Sequence, residues 1–248
     1  LLVAPFIKSI AKYIQSILPF AIGKNEHYDR LSLAVIQSHC KPDSICIDIG
    51  ANEGKILQYI INAAPSVKHF AFEPIPTLHQ QLVQRFSNNA YIYPIALSNI
   101  KTTRQYNFVE TDPALSGFRK RPYPSHYKES QIEVESNLLD NIIDQHLKIS
   151  LIKIDVEGGE WDVLRGGIQT INRCKPLILF ECGMIGGNLY QFSSSDIYQF
   201  FEQQVSYQIY TLSGWLKDSN ALSYQEFHHL FETGAEYFFL AAPIDIAI

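Results

Sequence analysis

The stretch Ser44–Gly54, S-I-C-I-D-I-G-A-N-E-G, restricts what this chain can fold into more than any other. A short apolar run enters an acidic residue, Asp48. A glycine-bearing turn follows, and a helical pattern then runs over Glu53–Ala63. Gly50 and Gly54 permit positive φ or close backbone approach. A strand feeding a helix in this way is the opening unit of a parallel sheet with crossover helices. The same alternation continues downstream. Val67–Glu73 reads as a strand, Pro76–Phe86 as a helix with proline in its first turn, and Tyr91–Leu97 as a third strand. Arg104–Val109 and Gln131–Glu135 read as strands around a Pro-rich loop, and Leu138–Ile143 as a short helix. Ser150–Asp155 and Pro176–Cys182 read as buried strands with a helix around Glu160–Arg165 between them. Asp196–Gln203 is helical in pattern, and Tyr207–Leu212 and Tyr237–Ala242 are late strands that suit an antiparallel edge. The expected fold is a single doubly wound α/β domain over residues 41–248. Its sheet is mostly parallel and seven-stranded, with helices on both faces and an antiparallel strand at the C-terminal edge. Residues 1–40 form an N-terminal helical extension in this reading.

The charge of the turn bears on its ligand. A dinucleotide site needs G-x-G-x-x-G, with the pyrophosphate against the helix N-terminus. Here Asn52 stands where that spacing wants a glycine, and a carboxylate at Asp48 repels phosphate and attracts an ammonium. S-adenosylmethionine carries an ammonium and a sulfonium and no phosphate. Glu73 ends the next strand nineteen residues beyond Gly54, where an acidic residue grips ribose hydroxyls, and Pro74 stops the strand.

Four stretches resemble the FkbM family of S-adenosylmethionine-dependent methyltransferases. They are Ile47–Gly54 (I-D-I-G-A-N-E-G), Phe72–Pro74 (F-E-P), Ile95–Ser98 (I-A-L-S) and Leu151–Gly167 (L-I-K-I-D-V-E-G-G-E-W-D-V-L-R-G-G). The resemblance implies a class I methyltransferase fold and methylation of hydroxyl groups, those of macrolides and sugars included. It also implies that Asp48, Gly50, Ala51, Asn52 and Gly54 surround the methionine part of the cofactor and that Glu73 binds its ribose. Pro74 and Ile75 follow that strand end, and Ala96 and Leu97 end the third strand; all four are expected around the adenine. Lys55 departs from the pattern, because a small or apolar residue is expected at that helix start.

The catalytic candidates are Asp155, Glu157, Glu160 and Lys153. Asp155 ends the fourth strand at the sheet edge where open α/β folds bind ligands. Glu157 lies on the loop above it, and Glu160 opens the next helix, where a carboxylate also suits the helix dipole. Asp155 or Glu157 is the expected base. Lys153 stands two residues before Asp155 on the same face, and a lysine in a central strand requires a partner; Glu181 is the expected one. The loop Gly117–Lys128 is rich in basic and aromatic residues, and Arg119, Arg121, Tyr123 and His126 are expected at the acceptor together with Glu181. Trp215 and Tyr224 are expected as a second aromatic wall. Asp155, Glu157, Glu160 and Glu181 supply hard oxygen ligands, but their spacing requires no metal, and none is expected. An NAD-type oxidoreductase and a noncatalytic cofactor-binding module are the alternative functions.

Composition limits the partners. Twenty basic against 25 acidic residues give a net charge of −5 over 248 residues, without the broad positive field of a nonspecific nucleic-acid binder. The expected partner is a small-molecule or glycan acceptor, with no nucleic acid, and a homo-oligomer fits as well. Cys40, Cys46, Cys174 and Cys182 form no C-x-x-C pair and no zinc spacing, so reduced thiols and a cytoplasmic location are expected. Pro5–Phe20 reads as an amphipathic helix interrupted by Lys8 and Lys12, which suits packing or weak membrane-surface contact, not a span.

Overall fold

The computed structural model describes residues 23–244. The helix read over Pro5–Phe20 lies outside them. Helix α1 (Lys24–His39) buries Tyr28, Ser32, Val35 and Ile36, one stripe at helical spacing. After β1 (Ile45–Ile49) comes α2 (Lys55–Ala63), which buries Ile56, Leu57, Ile60 and Ile61. After β2 (His69–Phe72) comes α3 (Pro76–Phe86), opened by its proline and buried through Leu78, Leu82 and Phe86.

The run Tyr91–Leu97, expected as one strand, is divided. Residues Ala90–Tyr93 form β3 of the large sheet, whereas Ala96–Leu97 form β4 of a second sheet. Pro94 stands at the junction, lacks an N–H and cannot continue a ladder. The second sheet has three strands in the order β4–β6–β5, with β5 Thr102–Val109 and β6 Glu129–Asn137 antiparallel. It forms a small layer of its own beside the main sheet, and the loop between β5 and β6 carries the basic–aromatic cluster.

The short α4 (Leu139–Ile142) leads to β7 (Ile149–Ile154), then α5 (Glu160–Gly166), α6 (Ile168–Cys174) and β8 (Leu177–Glu181). Then come α7 (Met184–Tyr190), α8 (Ser194–Gln199) extended by a π-helical turn, β9 (Tyr207–Thr211), α9 (Leu212–Trp215), α10 (Tyr224–Thr233) and β10 (Phe238–Pro243). The main sheet has seven strands in the order β3–β2–β1–β7–β8–β10–β9. The first five positions are parallel; β10 runs antiparallel to both neighbours and sits one place in from the edge strand β9. Alternate strand residues go to opposite layers. Ile47, Ile49, Ile152 and Ile154 pack with Val163, Leu164, Phe200 and Phe227, and Cys46, Leu151 and Leu179 pack with Val35, Ile36 and Ile60 on the other face.

The chain runs outward from β1 through β2 to β3, then returns to place β7 on the other side of β1. Connections after β1 and β7 therefore leave in opposite directions and open a crevice at the C-terminal strand ends. No helix among the described residues is long and apolar enough to cross a membrane.

Candidate active site

A cavity of about 730 Å³ occupies that crevice. Gly50 (φ +76°) makes it possible: a Cβ there would stand 1.9 Å from the Asp155 carbonyl oxygen, so only glycine lets the turn after β1 lie against the end of β7. Gly54 (φ +79°) has another task. A Cβ on it would meet Leu82 and Phe86 at 2.6 Å, so it admits α2 close to α3 and does not line the cavity as expected. Gly50, Ala51 and Asn52 do line it.

At one end stands Glu73, 4% exposed. The Asn52 N–H donates to its Oε2 (2.8 Å) and the Ile75 N–H to its Oε1 (2.9 Å). These bonds fix the carboxyl plane at the tip of β2. Burial pushes Glu73 up to about 7 against the pull of both N–H groups. Pro74, Ile75, Ala96 and Leu97, expected at the cofactor, line this end. Leu78, Tyr106, Phe118 and the segment 113–116 join them, and no motif pointed to those. Tyr106 and Phe118 come from the second sheet and its loop and meet edge to face, 5.1 Å between centroids. The β5–β6 loop thus begins by covering the Glu73 end.

At the other end the strand register decides who meets whom. Asp48 on β1 is the register partner of Lys153 on β7, whose partner on β8 is Leu179. Lys153 Nζ accordingly lies 3.3 Å from Asp48 Oδ1 and 3.6 Å from Asp155 Oδ2, and donates to the Gly50 carbonyl at 2.8 Å. Its expected partner Glu181 lies two residues further along β8 than the register position Leu179. Asp48 is fully buried and outside the cavity wall, so its charge goes to Lys153 and not to a ligand ammonium. Burial pulls Lys153 down, yet Asp48 and Asp155 hold it above the ordinary lysine range. Burial pushes Asp48 up against the pull of Lys153.

Asp155 and Glu181 follow the Ile154/Phe180 register pair on adjacent parallel strands, which sets their carboxyls side by side. Burial, then the Asp155 and Glu160 charges, push Glu181 well above the usual carboxylate range, and a hydrogen bond to Asp155 adds to this. Asp155, Glu157 and Glu181 each offer an oxygen within 4.8 Å of the others. A positive group already reaches this cluster: Arg121, from the β5–β6 loop, forms an ion pair with Glu157. Glu157 (φ +61°) is thereby engaged by the loop, and Asp155 lines the cavity beside it. Glu160 is 1% exposed and turns back on its own loop, where its Oε1 accepts from the Val156 N–H (2.9 Å) and the Gly158 N–H (3.1 Å). It lines the cavity but serves to shape the 155–158 turn, and burial holds it up at about 7.

Of the expected acceptor residues, Arg121 and Glu181 reach the cavity. Arg119 and His126 are exposed, and Tyr123 is tied with Lys120 to Glu129 on β6, away from the crevice. Trp215 packs on Tyr210 (5.1 Å), and Tyr224 on Tyr198 (5.5 Å), so neither forms the aromatic wall. Tyr190 of α7 and Tyr237 before β10 supply aromatic surface instead.

The family model of the Methyltransferase FkbM domain matches residues 48–209, which include the crevice from Asp48 to Glu181. The chain belongs to the FkbM methyltransferase family. Among curated relatives, this FkbM chain is 27% identical over 151 residues to "2-O-methyltransferase NoeI" of Sinorhizobium fredii, covering 54% of this chain and 62% of that protein. It is 27% identical over 165 residues to "AMB antimetabolite synthetase AmbE" of Pseudomonas aeruginosa, covering 50% of this chain and 8% of that protein. The chain thus spans less than two thirds of either relative. Among solved structures, the methyltransferase FkbM from Methylobacillus flagellatus superposes with a TM-score of 0.51 at 16% identity, over 82% of this chain and 44% of that one, which shows a shared fold.

Proposed function

We propose that this FkbM-family chain transfers a methyl group from S-adenosylmethionine to a hydroxyl of a sugar, glycolipid, polysaccharide or secondary metabolite. The observation that carries this is one cavity with two chemically different ends: an immobilised carboxylate amid apolar walls at Glu73, and a cluster of carboxyls at Asp155. The residues fit the cofactor. Glu73 would offer acceptors to ribose hydroxyls, the apolar slot from Ile75 to Phe118 would take a flat base, and the carboxylate of Asp155 in the same cavity would suit a cationic sulfur. The name of the Sinorhizobium relative, a 2-O-methyltransferase, supports oxygen as the acceptor atom.

When bound, the cofactor supplies an electrophilic methyl group on sulfur. The chain's own contribution is alignment and proton removal. Asp155 would take the proton of the acceptor's hydroxyl as that oxygen receives the methyl group. Glu181, which keeps its own proton, donates to Asp155 and fixes its orientation. Lys153 holds the Asp155 carboxylate from the other side at 3.6 Å. Arg121, paired with Glu157, bridges the loop to the cavity mouth and borders the acceptor's path.

Titration calorimetry with S-adenosylhomocysteine tests the cofactor, and a mass screen for a one-methyl gain over an extracted glycan and lipid pool tests the acceptor. Binding followed by a gain on a hydroxyl compound supports the proposal. Binding without methyl transfer to any pool favours the noncatalytic module, and a gain on nitrogen or carbon overturns the acceptor class.

A further inference from the structure

One wall of the cavity comes from helix α1, which reaches it through Asn25, Tyr28, Asp29 and Ser32, while Lys55 reaches it from the first turn of α2. Lys55 Nζ lies 2.6 Å from Asp29 Oδ2 and 3.2 Å from Glu26 Oε2. The start of α1 is anchored to the segment before β10. Lys24 Nζ donates to the Gly234 and Ala235 carbonyls at 3.0 Å each, the Tyr28 hydroxyl donates to Glu236, and the Tyr237 hydroxyl donates to Asn25 Oδ1 at 2.5 Å. Phe238, which begins β10, is the register partner of Glu181. The wall therefore stands on the β8–β10 side of the Gly50 turn, and Glu73 stands on the β2 side.

We infer that Lys55 and Asp29 bind the amino-acid end of the cofactor, Lys55 its carboxylate and Asp29 its ammonium. The inference rests on the S-adenosylmethionine reading above. A side-by-side lysine and aspartate present one positive and one negative charge to the cavity, and an α-amino acid presents the opposite pair at matching separation. Both side chains keep part of their surface free, 47% for Lys55 and 30% for Asp29, so each has hydrogen-bonding capacity left for a ligand. Glu26 also pairs with Lys55 and does not line the cavity, so it still balances the lysine when a ligand draws on Asp29. Partial burial pulls Lys55 down, but Asp29 and Glu26 hold it above the ordinary lysine range, so it stays a cation. Lys55 stands where a small or apolar residue is the family expectation, and this role gives its charge a use.

The test compares two probes in titration calorimetry: S-adenosylhomocysteine, and 5′-methylthioadenosine, which has the nucleoside and sulfur but no amino-acid end. Lys55→Met and Asp29→Asn each lower affinity for S-adenosylhomocysteine about tenfold, as for loss of a charge-assisted hydrogen bond, and leave methylthioadenosine affinity within about twofold. Glu26→Gln changes neither by more than about threefold. Equal loss of both probes in the Lys55 and Asp29 variants overturns the inference, since it marks a role in docking α1. So does an unchanged S-adenosylhomocysteine affinity, or a Glu26→Gln loss as large as that of Asp29→Asn. Wild-type protein that binds neither probe overturns the cofactor reading itself, and the inference with it.

Discussion

The two ends of the cavity use carboxylates in opposite ways. Glu73 stands alone, accepts two main-chain N–H bonds and is bordered by apolar side chains. Asp155 stands in a cluster with Glu157 and Glu181, balanced by Lys153 and Arg121. A carboxylate fixed by the backbone is a geometric template for hydroxyl groups. A carboxylate set among other carboxyls and beside a buried lysine is, in the proposed reaction, the one that takes the acceptor's proton. In the proposed function, neighbouring charge, more than residue type, separates binding from chemistry.

The largest effect expected is on turnover at the Asp155 end. Asp155→Asn lowers kcat on the order of 10²–10⁴-fold, the usual worth of a positioned base, while S-adenosylhomocysteine affinity stays within a few fold. A parallel loss of affinity would merge the two ends into one binding surface. Lys153→Met comes next and acts on stability, because it leaves Asp48 buried without its counter-charge. Denaturant unfolding is expected to show a loss of about 3–5 kcal/mol. If turnover of the folded fraction stays intact, Lys153 is structural; if it falls as well, Lys153 also orients Asp155.

At the other end, Glu73→Ala lowers S-adenosylhomocysteine affinity on the order of 10²-fold, through two lost hydrogen bonds to a charged acceptor. The same residue sets part of the pH dependence of the ligand-free fold. Its carboxyl is at about 7 in the folded chain against about 4.5 unfolded, so the folded state holds the proton between those values. Stability is therefore lost as pH rises from about 4.5 to about 7, by about 3 kcal/mol at most for this group. Glu160, also at about 7, loses stability in the same window, so thermal unfolding of Glu73→Gln between pH 5 and 8 shows a reduced slope, not a flat one. The smallest effect is at the rim. Arg121→Gln raises acceptor KM about tenfold and leaves cofactor affinity unchanged, and a loss of cofactor affinity instead would place Arg121 at the wrong end.

The Glu73 end was legible in the sequence because its parts are local. A strand, a turn and a helix within thirty residues, with Glu73 and Pro74 at the next strand end, place Gly50, Asn52 and Glu73 through backbone geometry alone. The Asp155 end was legible only in part. Lys153 and Asp155 share a face by strand alternation, but their cross-strand partners depend on register, and register set Asp48, not Glu181, opposite Lys153. Within the loop between β5 and β6, the basic and aromatic stretch Gly117–Lys128 is expected at the acceptor. Instead its first part covers the Glu73 end, Arg121 reaches the Asp155 end, and Tyr123 is held by Glu129. The wall from α1 left a single trace, the charged residue at position 55. Its partners Asp29 and Glu26 lie 26 and 29 residues earlier, and only tertiary packing brings them together.

In the proposed function the crevice holds an adenosyl sulfonium cofactor and not a dinucleotide. Titration calorimetry of the wild-type chain with S-adenosylmethionine and, separately, with NAD tests it most directly. Saturable one-site binding of S-adenosylmethionine with no heat from NAD is expected. Saturable binding of NAD with none of S-adenosylmethionine would contradict it.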